Sequence, residues 1–519
     1  MDFDYIIVGA GSAGCILANR LTENGRANVL LLEAGPTDTR FFTSMPLGYG
    51  MSFYNPRLNW MYWSEPNPGL GGRPIYVPRG KMLGGSSSIN AMVYVRGDPQ
   101  DFEDWKNAGN PGWGFEDVKP AYEAIEAELK IGSMENGAHP LCQNYFEACR
   151  SLGLPINHNP DGETQHGVGY NRLTINGGRR MSSSSVFLRP VLNRNNLKVE
   201  TGALATRILF EGRKAVGVAY LRGRQLHEAR AGREVILSAG AINTPQLLQL
   251  SGVGPLGLLK RHGIAVVAVN EAVGRNLQDH AGYDHYYKAN VPTINQELRP
   301  FIGKIKAGLR YVLFRSGPLA WSMNHAGGFI HSRADLKRPN LQLYFVPSSY
   351  DRAPPKTRRM TQPDTFPGLS IGLSSCRPTS LGQVEIKSAS PQDAPAIQLN
   401  LLATDNDIGE MLEGARFLRK LAAAPELAAV LAEEFKPGGA TQSDAEMIAD
   451  IRARGYSIFH PCGTARMGEG GALDSKLRVR GVAGLRVIDA SVFPNIITGN
   501  INAPAMMVGW KGADLLLQR

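Results

Sequence analysis

Asp4-Tyr5-Ile6-Ile7-Val8-Gly9-Ala10-Gly11-Ser12-Ala13-Gly14 is the stretch that decides the fold. Its apolar half has strand character, and a helical pattern from Cys15 to Leu21 follows the glycines. In a strand–turn–helix unit with G-x-G-x-x-G spacing, the first glycine permits the tight turn. The second lets the backbone approach a pyrophosphate, and the third lets helix and strand pack closely. Because the helix N-terminus also attracts phosphate through its free N–H groups, the stretch predicts a bound dinucleotide.

A second apolar run, Val29-Leu30-Leu31-Leu32, leads to Glu33. This carboxylate lies about twenty residues past the glycine turn, where an acid accepts hydrogen bonds from a ribose hydroxyl. A glycine-rich turn alone also fits an ordinary connection between a strand and a helix. The second strand and the acid together favour the dinucleotide site.

Charge and composition exclude several classes of partner. The chain has 519 residues, a formal net charge of +10 and a hydrophobic content of 43%. This length predicts a globular protein of two to four domains. The basic residues are scattered, with no ladder of aromatic and basic side chains, so we expect no nucleic acid partner. A basic surface that favours anionic partners or a membrane face is the preferred interpretation.

The cysteines and the N-terminus bear on the compartment. Five cysteines, an odd number without a C-x-x-C pair, argue against a disulfide framework and against a zinc site, so no metal is predicted. The first strand begins within five residues of Met1, which leaves no space for a signal peptide. No apolar run approaches the roughly twenty residues that span a bilayer. We therefore expect a cytoplasmic protein, with contact to the inner membrane left open.

The rest of the chain divides into a loop-rich part and several regular elements. Residues 36–100 are rich in Gly, Pro, Trp and Tyr and indicate extended loop. Helices are predicted at 115–129 and 443–454, the second with the capping-box pair Ser443 and Glu446. A β-hairpin is predicted at 197–221 with its turn near Glu211, and a buried strand at 234–240 precedes a helix with Pro245 in its first turn.

The block from about 282 to 457 has a different pattern. Strand-like runs at 341–346, 369–376, 384–387 and 397–401 are separated by turns with proline and glycine. This pattern predicts an antiparallel sheet with helices on one side. A dinucleotide fold interrupted by such a block would place a ligand crevice between two lobes.

Longer motifs point to a known family. Gly80–Asn90 closely resembles the first signature of the glucose-methanol-choline (GMC) oxidoreductases, and Gly240–Gly254 resembles the second. Gly274–His280, His460–Thr464 and the tail Asp489–Pro504 also resemble the family's motifs. All stand in family order between residue 6 and about residue 515, while 282–457 resembles the family only loosely. The motif sequences most closely resemble those of bacterial choline-dehydrogenase-like and alcohol dehydrogenases.

The resemblance implies an α/β fold with FAD as the dinucleotide. It implies a Rossmann-like FAD-binding domain, discontinuous in sequence, and an α+β substrate domain built on an antiparallel sheet. We expect the FAD-binding domain to comprise residues 1–150, 195–281 and 458–519. The substrate-binding domain would then comprise residues 151–194 and 282–457.

The resemblance also implies the cofactor-binding residues. Gly84-Gly85 and the three serines after them form a loop whose backbone can touch the flavin and whose hydroxyls can meet phosphate. Asp489 accepts a bond from the ribityl chain or fixes the loop, and a plain N-cap role is the alternative. The full expected set is Gly9, Gly11, Ser12, Ala13, Gly14, Glu33, Ala34, Arg79, Met82, Gly84, Gly85, Ser86, Asn90, Ala91, Met92, Val93, Ala205, Ala239, Gly240, Asp489, Ala490, Asn500, Asn502 and Pro504.

Alcohol oxidation needs a base for the hydroxyl proton, and histidine is the natural base near neutral pH. His460 stands in an irregular Pro- and Gly-flanked segment, and the resemblance places it against the flavin. Asn500 matches the second catalytic position, with Asn502 as its rival. The implied reaction converts a primary alcohol to the aldehyde by hydride transfer to flavin N5, with electrons passed to a quinone-type acceptor. An oxygen-using oxidase, a non-redox lyase and a non-catalytic scaffold are the alternatives.

Two departures from choline oxidases matter. Those enzymes carry a histidine that bonds covalently to the flavin where this chain has Ile89, so we expect non-covalent FAD. They also carry a glutamate for trimethylammonium where this chain has Gly282. An aromatic cage is the alternative way to bind a quaternary ammonium. Without the acid, choline is expected to be a poorer substrate than an uncharged alcohol. Ile458, in place of a valine, is expected to slow the reaction with oxygen.

The stretch Arg299–Arg315 is basic and partly amphipathic. It fits a helix that rests on a membrane surface and lets a quinone reach the flavin. It also fits a substrate-domain helix with a solvated basic face, which is the favoured interpretation. The oligomeric state is left open by the sequence.

Overall fold

The structure is a computed structural model that describes residues 2–162, 164–350 and 362–518. The strands are β1 Asp2–Val8, β2 Val29–Glu33, β3 Tyr62–Trp63, β4 Tyr76–Val77, β5 Gly132–Ser133, β6 Gly167–Tyr170, β7 Arg172–Leu173, β8 Ile175–Asn176, β9 Arg179–Arg180, β10 Leu197–Thr201, β11 Ala203–Glu211, β12 Lys214–Arg222, β13 Gln225–Leu237, β14 Val253–Gly254, β15 Ala268–Val269, β16 Ala281–Ala289, β17 Ala326–Ile330, β18 Leu341–Val346, β19 Gly368–Ser375, β20 Gln383–Glu385, β21 Ala396–Gln398, β22 Leu431–Lys436, β23 Tyr456–Ser457 and β24 Leu485–Val487. The helices are α1 Ser12–Thr22, α2 Phe41–Ser44, α3 Tyr49–Ser52, α4 Pro99–Asn107, α5 Phe115–Leu129, α6 Leu141–Ser151, α7 Gly240–Leu250, α8 Leu256–Arg261, α9 Ile294–Leu298, α10 Phe301–Phe314, α11 Asp405–Ala422, α12 Pro425–Ala428, α13 Asp444–Arg454 and α14 Asn502–Leu517.

The first sheet has the predicted nucleotide-binding form. Its order is β10-β2-β1-β13-β12-β11, with β24 beside β13. The strands β10, β2, β1, β13 and β24 run parallel, and β11 and β12 add an antiparallel edge. Both faces of a parallel sheet are covered, so its strands read as continuous apolar runs such as the one in β2. The strand–turn–helix opening and the second strand are confirmed.

The predicted hairpin at 197–221 is wrong in its first part. Leu197–Thr201 is a separate strand that pairs in parallel with β2. Gly202, with φ +66°, ends that strand and redirects the chain, and its N–H donates to the carbonyl of Gly35. The hairpin itself is formed by β11 and β12, with its turn after Glu211 as expected.

Pro245 lies deeper in its helix than predicted. The helix α7 begins at Gly240, so Pro245 is inside it rather than in its first turn. A proline in a helix cannot donate to the carbonyl four residues earlier, here that of Ala241. The Thr464 hydroxyl donates to this carbonyl at 2.6 Å instead. The missing helix bond is thereby replaced by a link to the segment that carries His460.

The second sheet is antiparallel, as predicted for residues 282–457. Its order is β17-β18-β19-β16-β22, with β23 beside β16. Along β18, Leu343 and Phe345 point into a core that also contains Met411 and Leu418 of helix α11. Because side chains alternate along a strand, Tyr344 points to the opposite face, where it lines a cavity. One face of the sheet therefore carries helices and the other forms a wall.

Two predicted strands of this block lie outside the main sheet. The runs expected at 384–387 and 397–401 are the short strands β20 and β21, which pair only with each other. The Gln249 amide bonds Val384 O at 2.9 Å and Ile386 N at 2.9 Å. These bonds hold the ribbon against helix α7, so it cannot extend the sheet.

The other expectations about regular elements are confirmed. Helix α5 matches 115–129, and α13 begins after Ser443 with the capping box to Glu446. Residues 36–100 contain only short elements. The domain boundaries stay a prediction. At one of them, residue 150, helix α6 continues across and stacks Tyr145 on Phe345, with ring centroids 4.8 Å apart.

Candidate active site

A large cavity lies between the first sheet and the open face of the second. Its volume is about 980 Å³, at the upper end of the range for ligand sites. Gly11 and Glu33 line it from the first sheet, Tyr344 and Gly372 from the second, and His460 from the segment between β23 and β24. The crevice between two lobes that the sequence predicts is therefore present.

The glycine turn leaves room for a ligand at one position only. Gly9 has φ +102°, which disfavours side chains, and a Cβ on Gly14 would overlap the carbonyl oxygen of Gly9. A Cβ on Gly11 would meet no protein atom closer than the Ser238 oxygen at 3.7 Å. Gly9 and Gly14 thus shape the turn, whereas Gly11 leaves space that opens into the cavity.

Glu33 holds the turn from the side of the second strand. Its carboxylate accepts the N–H of Ala10 at 3.0 Å and that of Gly35 at 2.8 Å. Burial raises the pKa of Glu33 to about 7. The residue lines the cavity, so its remaining lone pairs are available to a ribose hydroxyl.

The loop after Gly84 packs directly on the glycine turn. The Gly84 N–H donates to the Ala10 carbonyl at 2.7 Å, and a Cβ on Gly85 would lie 2.8 Å from Gly11 Cα. Of the three serines, only Ser86 lines the cavity. The hydroxyls of Ser87 and Ser88 donate to carbonyls of their own loop at 2.6 and 2.8 Å. Of the three hydroxyls expected to meet phosphate, only that of Ser86 therefore faces the cavity.

Asp489 fixes two loops at once. One carboxylate oxygen accepts the Gly240 N–H at 2.8 Å and the Thr244 hydroxyl at 2.6 Å. The other accepts the backbone N–H of Ser491 at 2.8 Å and its hydroxyl at 2.6 Å. Of the three roles left open by the sequence, loop fixation and capping are observed in the bonds of Asp489.

Most of the expected cofactor residues border the cavity. Those that line it are Gly9, Gly11, Ser12, Ala13, Glu33, Ala34, Arg79, Gly85, Ser86, Asn90, Ala91, Met92, Val93, Ala205, Ala239, Gly240, Asp489, Ala490, Asn500 and Asn502. Four others lie behind this surface: Gly14 and Gly84 in the two packed turns, Met82 buried with Leu58, and Pro504 buried in helix α14.

These residues fit FAD. The open position at Gly11, the free N–H groups at the start of α1 and the buried Glu33 carboxylate are what a pyrophosphate and a ribose require. Ile89 lines the same cavity and has no atom that could bond to a flavin. Among the described residues no group of His, Cys, Asp and Glu could hold a metal ion.

His460 and Asn500 meet in the cavity wall. The Asn500 amide Nδ2 lies 3.2 Å from His460 Nε2. Asn502, the rival for the second position, accepts a bond from the Ser12 hydroxyl at 2.8 Å instead. The structure thus brings Asn500 to the histidine and places Asn502 against the glycine turn.

A second histidine, His280, to which the sequence assigned no role, determines which nitrogen of His460 carries the hydrogen. His280 Nε2 lies 3.0 Å from the Cys376 carbonyl, which can only accept, so Nε2 carries the hydrogen. Burial lowers the pKa of His280 to about 4, so its ring is neutral and Nδ1 accepts. His460 Nδ1, at 3.0 Å, must then be the donor.

It follows that His460 Nε2 has an unshared electron pair. Burial, with help from His280 and Arg79, holds the pKa of His460 well below its ordinary value, so the ring is neutral. Asn500 Nδ2 donates to this Nε2, because Asn500 Oδ1 accepts the Gln342 amide at 3.2 Å. The Tyr344 hydroxyl in turn donates to Gln342 Oε1 at 2.8 Å. A polar Gln342 between buried Leu341 and Leu343 was the sequence signal for this link.

The backbone that carries His460 is held under strain. Phe459 has φ +71°, a conformation rare for a bulky residue. Its carbonyl accepts a bond from Arg79 at 2.9 Å, and its N–H donates to the Ser457 hydroxyl at 2.8 Å. Asp279 accepts the His460 N–H at 2.8 Å, and burial raises the pKa of Asp279 to about 6. These bonds fix the position of the imidazole.

The wall beyond His460 is mainly aromatic. Phe53 packs edge-on against Phe459 at 5.4 Å and Tyr76 at 5.2 Å, and Tyr54 stacks on Tyr76 at 5.3 Å. These four rings line the cavity, which therefore offers apolar surface to a substrate.

Ile458 lines the same cavity and packs against Gly282, which is not part of the lining. A Cβ on Gly282 would lie 2.6 Å from Ile458 Cγ2, so the isoleucine occupies the space that a longer side chain would need. The nearby acid Asp284 accepts the hydroxyls of Tyr456 at 2.8 Å and Tyr286 at 3.2 Å. Its carboxylate is already engaged by the protein.

Known proteins resemble the chain over its whole length. Family models described as GMC oxidoreductase match residues 3–282 and 378–509. The chain is 40% identical to "Alcohol dehydrogenase [acceptor]" of Pseudomonas putida, over 100% of this chain and 96% of that protein. It is 39% identical to the human mitochondrial choline dehydrogenase, over 99% and 90% of the two chains. The crystal structure of pyridoxine 4-oxidase from Mesorbium loti is similar with a TM-score of 0.89 and 28% identity, covering 99% of both chains. The chain therefore belongs to the GMC oxidoreductases, a family of FAD-dependent enzymes that act on the CH–OH group of alcohol- and choline-type substrates.

Proposed function

We propose that the protein oxidises a neutral primary alcohol to the aldehyde, with His460 as the general base. The observation that carries this proposal is the hydrogen-bond order around His460, which leaves the electron pair of Nε2 next to the Asn500 amide. A base must offer an unprotonated nitrogen to the substrate hydroxyl, and Nε2 does so once the hydroxyl replaces the Asn500 amide as its hydrogen-bond donor.

The two side chains have different tasks in this mechanism. His460 Nε2 takes the hydroxyl proton, and the lowered pKa of His460 keeps the ring unprotonated in neutral solution. The Asn500 amide donates a hydrogen bond to the substrate oxygen as negative charge develops there. The bonds to Phe459 O and Asp279 fix His460, and Gln342 fixes the Asn500 amide, so little reorganisation is needed. FAD, when bound, supplies the acceptor for the hydride that leaves the carbinol carbon.

The absence of a carboxylate at Gly282 supports an uncharged substrate. A trimethylammonium group is best recognised by a carboxylate or an open aromatic cage. Gly282 brings no carboxylate, and Ile458 fills the adjacent space. Asp284 is engaged by two tyrosine hydroxyls. The Pseudomonas putida relative, named as an alcohol dehydrogenase, supports the same substrate class.

The acceptor is proposed to be a quinone rather than oxygen. Ile458 lines the cavity and packs against Gly282, which narrows the space beside His460 that a smaller residue would leave to oxygen. The Pseudomonas putida relative carries the word "acceptor" in its name, and this supports electron transfer to a carrier molecule. With a membrane quinone as acceptor, the proposed location is the cytoplasm, at the surface of the inner membrane.

An anaerobic substrate screen tests the proposal. The purified holoenzyme is mixed with hexanol, benzyl alcohol, glycerol or choline, and the flavin absorbance is followed. We expect at least one neutral alcohol to bleach the flavin faster than choline does. Faster bleaching by choline would overturn the substrate assignment, and no bleaching with any alcohol would contradict the redox function altogether.

The reduced enzyme then tests the acceptor. It is mixed with a soluble quinone or with air-saturated buffer, and flavin reoxidation is timed. The quinone is expected to react much faster. Equal rates would identify an oxidase, and cleavage of a cyanohydrin without any flavin reduction would identify a lyase.

A further inference from the structure

Helix α10, Phe301–Phe314, leaves an apolar surface exposed. Only Ala307 and Tyr311 of this helix are buried, and they lie one turn apart on a single stripe. On the opposite side Phe301, Ile305, Leu309, Val312 and Leu313 are exposed, from 47% to 77%. Their spacing of three and four residues places them along one face. We call these five residues the apolar face of α10.

Basic side chains border this apolar face. Lys304 lies on one side of it, and Lys306 and Arg310 lie on the other, all exposed. The sequence has no acidic residue between Glu297 and Asp335. The partner of this surface must therefore accept apolar side chains and carry negative charge.

This combination identifies an anionic phospholipid surface. A helix with an apolar face and flanking Lys and Arg lies in the plane of a membrane, with its apolar side chains at the boundary of headgroups and acyl chains. Each basic residue near such a surface adds to the electrostatic attraction. A second copy of the chain would bring like charges together around a symmetric contact, which disfavours self-association through this face.

The helix also stands at the mouth of the active-site cavity. Leu298 and Lys304 belong to the cavity lining, and Lys304 is exposed, so the cavity reaches the surface beside α10. Leu319 and Met323, in the segment after the helix, continue the apolar lining inward. No helix among residues 2–162, 164–350 and 362–518 is long and apolar enough to cross a bilayer.

We propose that α10 docks the protein on an anionic phospholipid membrane and turns the cavity mouth toward the lipid. The apolar face enters the headgroup region, while Lys304, Lys306 and Arg310 contact lipid phosphates. The further consequence, that an apolar alcohol or quinone enters from the lipid phase, rests on the proposed function. The solvated basic helix favoured by the sequence thus has, in addition, an exposed apolar side.

Vesicle sedimentation tests the docking without any activity measurement. The holoenzyme is spun with vesicles of phosphatidylcholine and phosphatidylglycerol, or of phosphatidylcholine alone. Binding to the anionic vesicles, weakened by added salt, is expected. Equal binding to both vesicle types, or none, would overturn the proposal.

A matched pair of double variants locates the surface. In Val312→Ser/Leu313→Ser the altered residues are 55% and 67% exposed, and in the control Val269→Ser/Leu226→Ser they are 52% and 63% exposed. The α10 variant should bind anionic vesicles roughly tenfold or more weakly, because it loses buried methylene groups. The control should bind as the parent enzyme does. Equal loss in both variants, or in neither, contradicts docking through α10.

Two further measurements separate this proposal from its rivals. If gel filtration shows a dimer that the α10 variant alone dissociates, the face is an interface between copies and the lipid proposal is wrong. Turnover of a water-soluble dye should be unchanged in the α10 variant, because Val312 and Leu313 lie outside the cavity lining. Vesicle binding by an enzyme that oxidises no alcohol would leave the docking intact and refute the proposed function alone.

Discussion

The glycine turn Gly9–Gly14 and the cluster around His460 border the same cavity but are built in different ways. The turn is a backbone structure within one short stretch, and its requirement is the absence of side chains. The His460 cluster is a side-chain structure drawn from β18 and from the segments before β16, after β23 and before α14. This cluster depends on which donor and acceptor atoms carry the hydrogens. A substitution should therefore impair cofactor binding in the first region and the chemical step in the second.

His460→Ala should have the largest effect on the chemical step. Loss of the base is expected to slow anaerobic flavin reduction by roughly two to four powers of ten. FAD content should be unchanged, because the side chain makes no contact with the glycine turn. Stopped-flow reduction and the flavin-to-protein ratio measure the two effects. Reduction at the parental rate would show that another group is the base.

Asn500→Ala comes next, with Asn502→Ala as its matched control. Removal of the Asn500 donor should slow reduction by about two to three powers of ten, the usual effect of one oxyanion donor. Asn502 is bonded to Ser12 of the glycine turn, so its variant should weaken FAD binding and leave the reduction rate of the loaded enzyme nearly unchanged. The reverse pattern would make Asn502 the catalytic amide.

Gly11→Ala and Gly14→Ala divide the glycine turn into its two functions. A methyl at Gly11 meets only the Ser238 oxygen at 3.7 Å, so the apoprotein should melt normally but bind FAD roughly tenfold more weakly. A methyl at Gly14 overlaps the Gly9 carbonyl and should lower the free energy of unfolding by about 1–3 kcal/mol. Thermal melting of the apoprotein and FAD titration separate the two. Normal melting of Gly14→Ala would contradict the packing argument.

His280→Leu should have the smallest effect, because His280 acts only through His460. Without the acceptor at Nδ1, His460 can place its hydrogen on Nε2, and reduction should slow by roughly tenfold. His280→Asn, which can both accept and donate, should recover much of the rate. Nitrogen NMR of the parent imidazole should show Nε2 unprotonated. A protonated Nε2, or equal rates in both variants, would refute the assigned tautomer.

In the parent enzyme the lowered pKa of His460 also predicts a pH dependence. The base is active when unprotonated, so the rate of flavin reduction should stay level as the pH falls through the ordinary histidine range. The loss of rate should appear only in more acidic buffer. A midpoint at the ordinary histidine pKa would mean that burial does not control His460.

The same contrast explains what could be predicted from the sequence. The glycine turn, Glu33 and the parallel sheet are encoded within short, contiguous stretches, so their pattern is visible along the chain. The link from Gln342 to Asn500 joins residues far apart in sequence and depends on the strand register of the second sheet, which no local pattern specifies. Pro245 lies deeper in α7 than the local pattern predicts, because the Thr464 hydroxyl, distant in sequence, donates to the Ala241 carbonyl that the proline cannot bond.

Helix α10 shows a further limit. Its basic residues are evident in the sequence, but which side packs on the protein is decided by Ala307 and Tyr311. Tyr311 meets Phe41 with ring centroids 5.9 Å apart. That contact comes from a distant segment, so the sequence could not say which apolar side chains stay exposed.

The hydrogen bond from His280 to the Cys376 carbonyl has a consequence for the path of the proton. A peptide carbonyl is too weak a base to be protonated in neutral solution, so the chain of bonds behind His460 ends there. A proton that reaches Nε2 cannot leak through the protein interior to bulk water along this route. It must go back into the cavity. The enzyme would thus hold the alcohol proton on His460 until the flavin is reoxidised. A quinone acceptor needs protons as well as electrons, and it would collect both from the cavity.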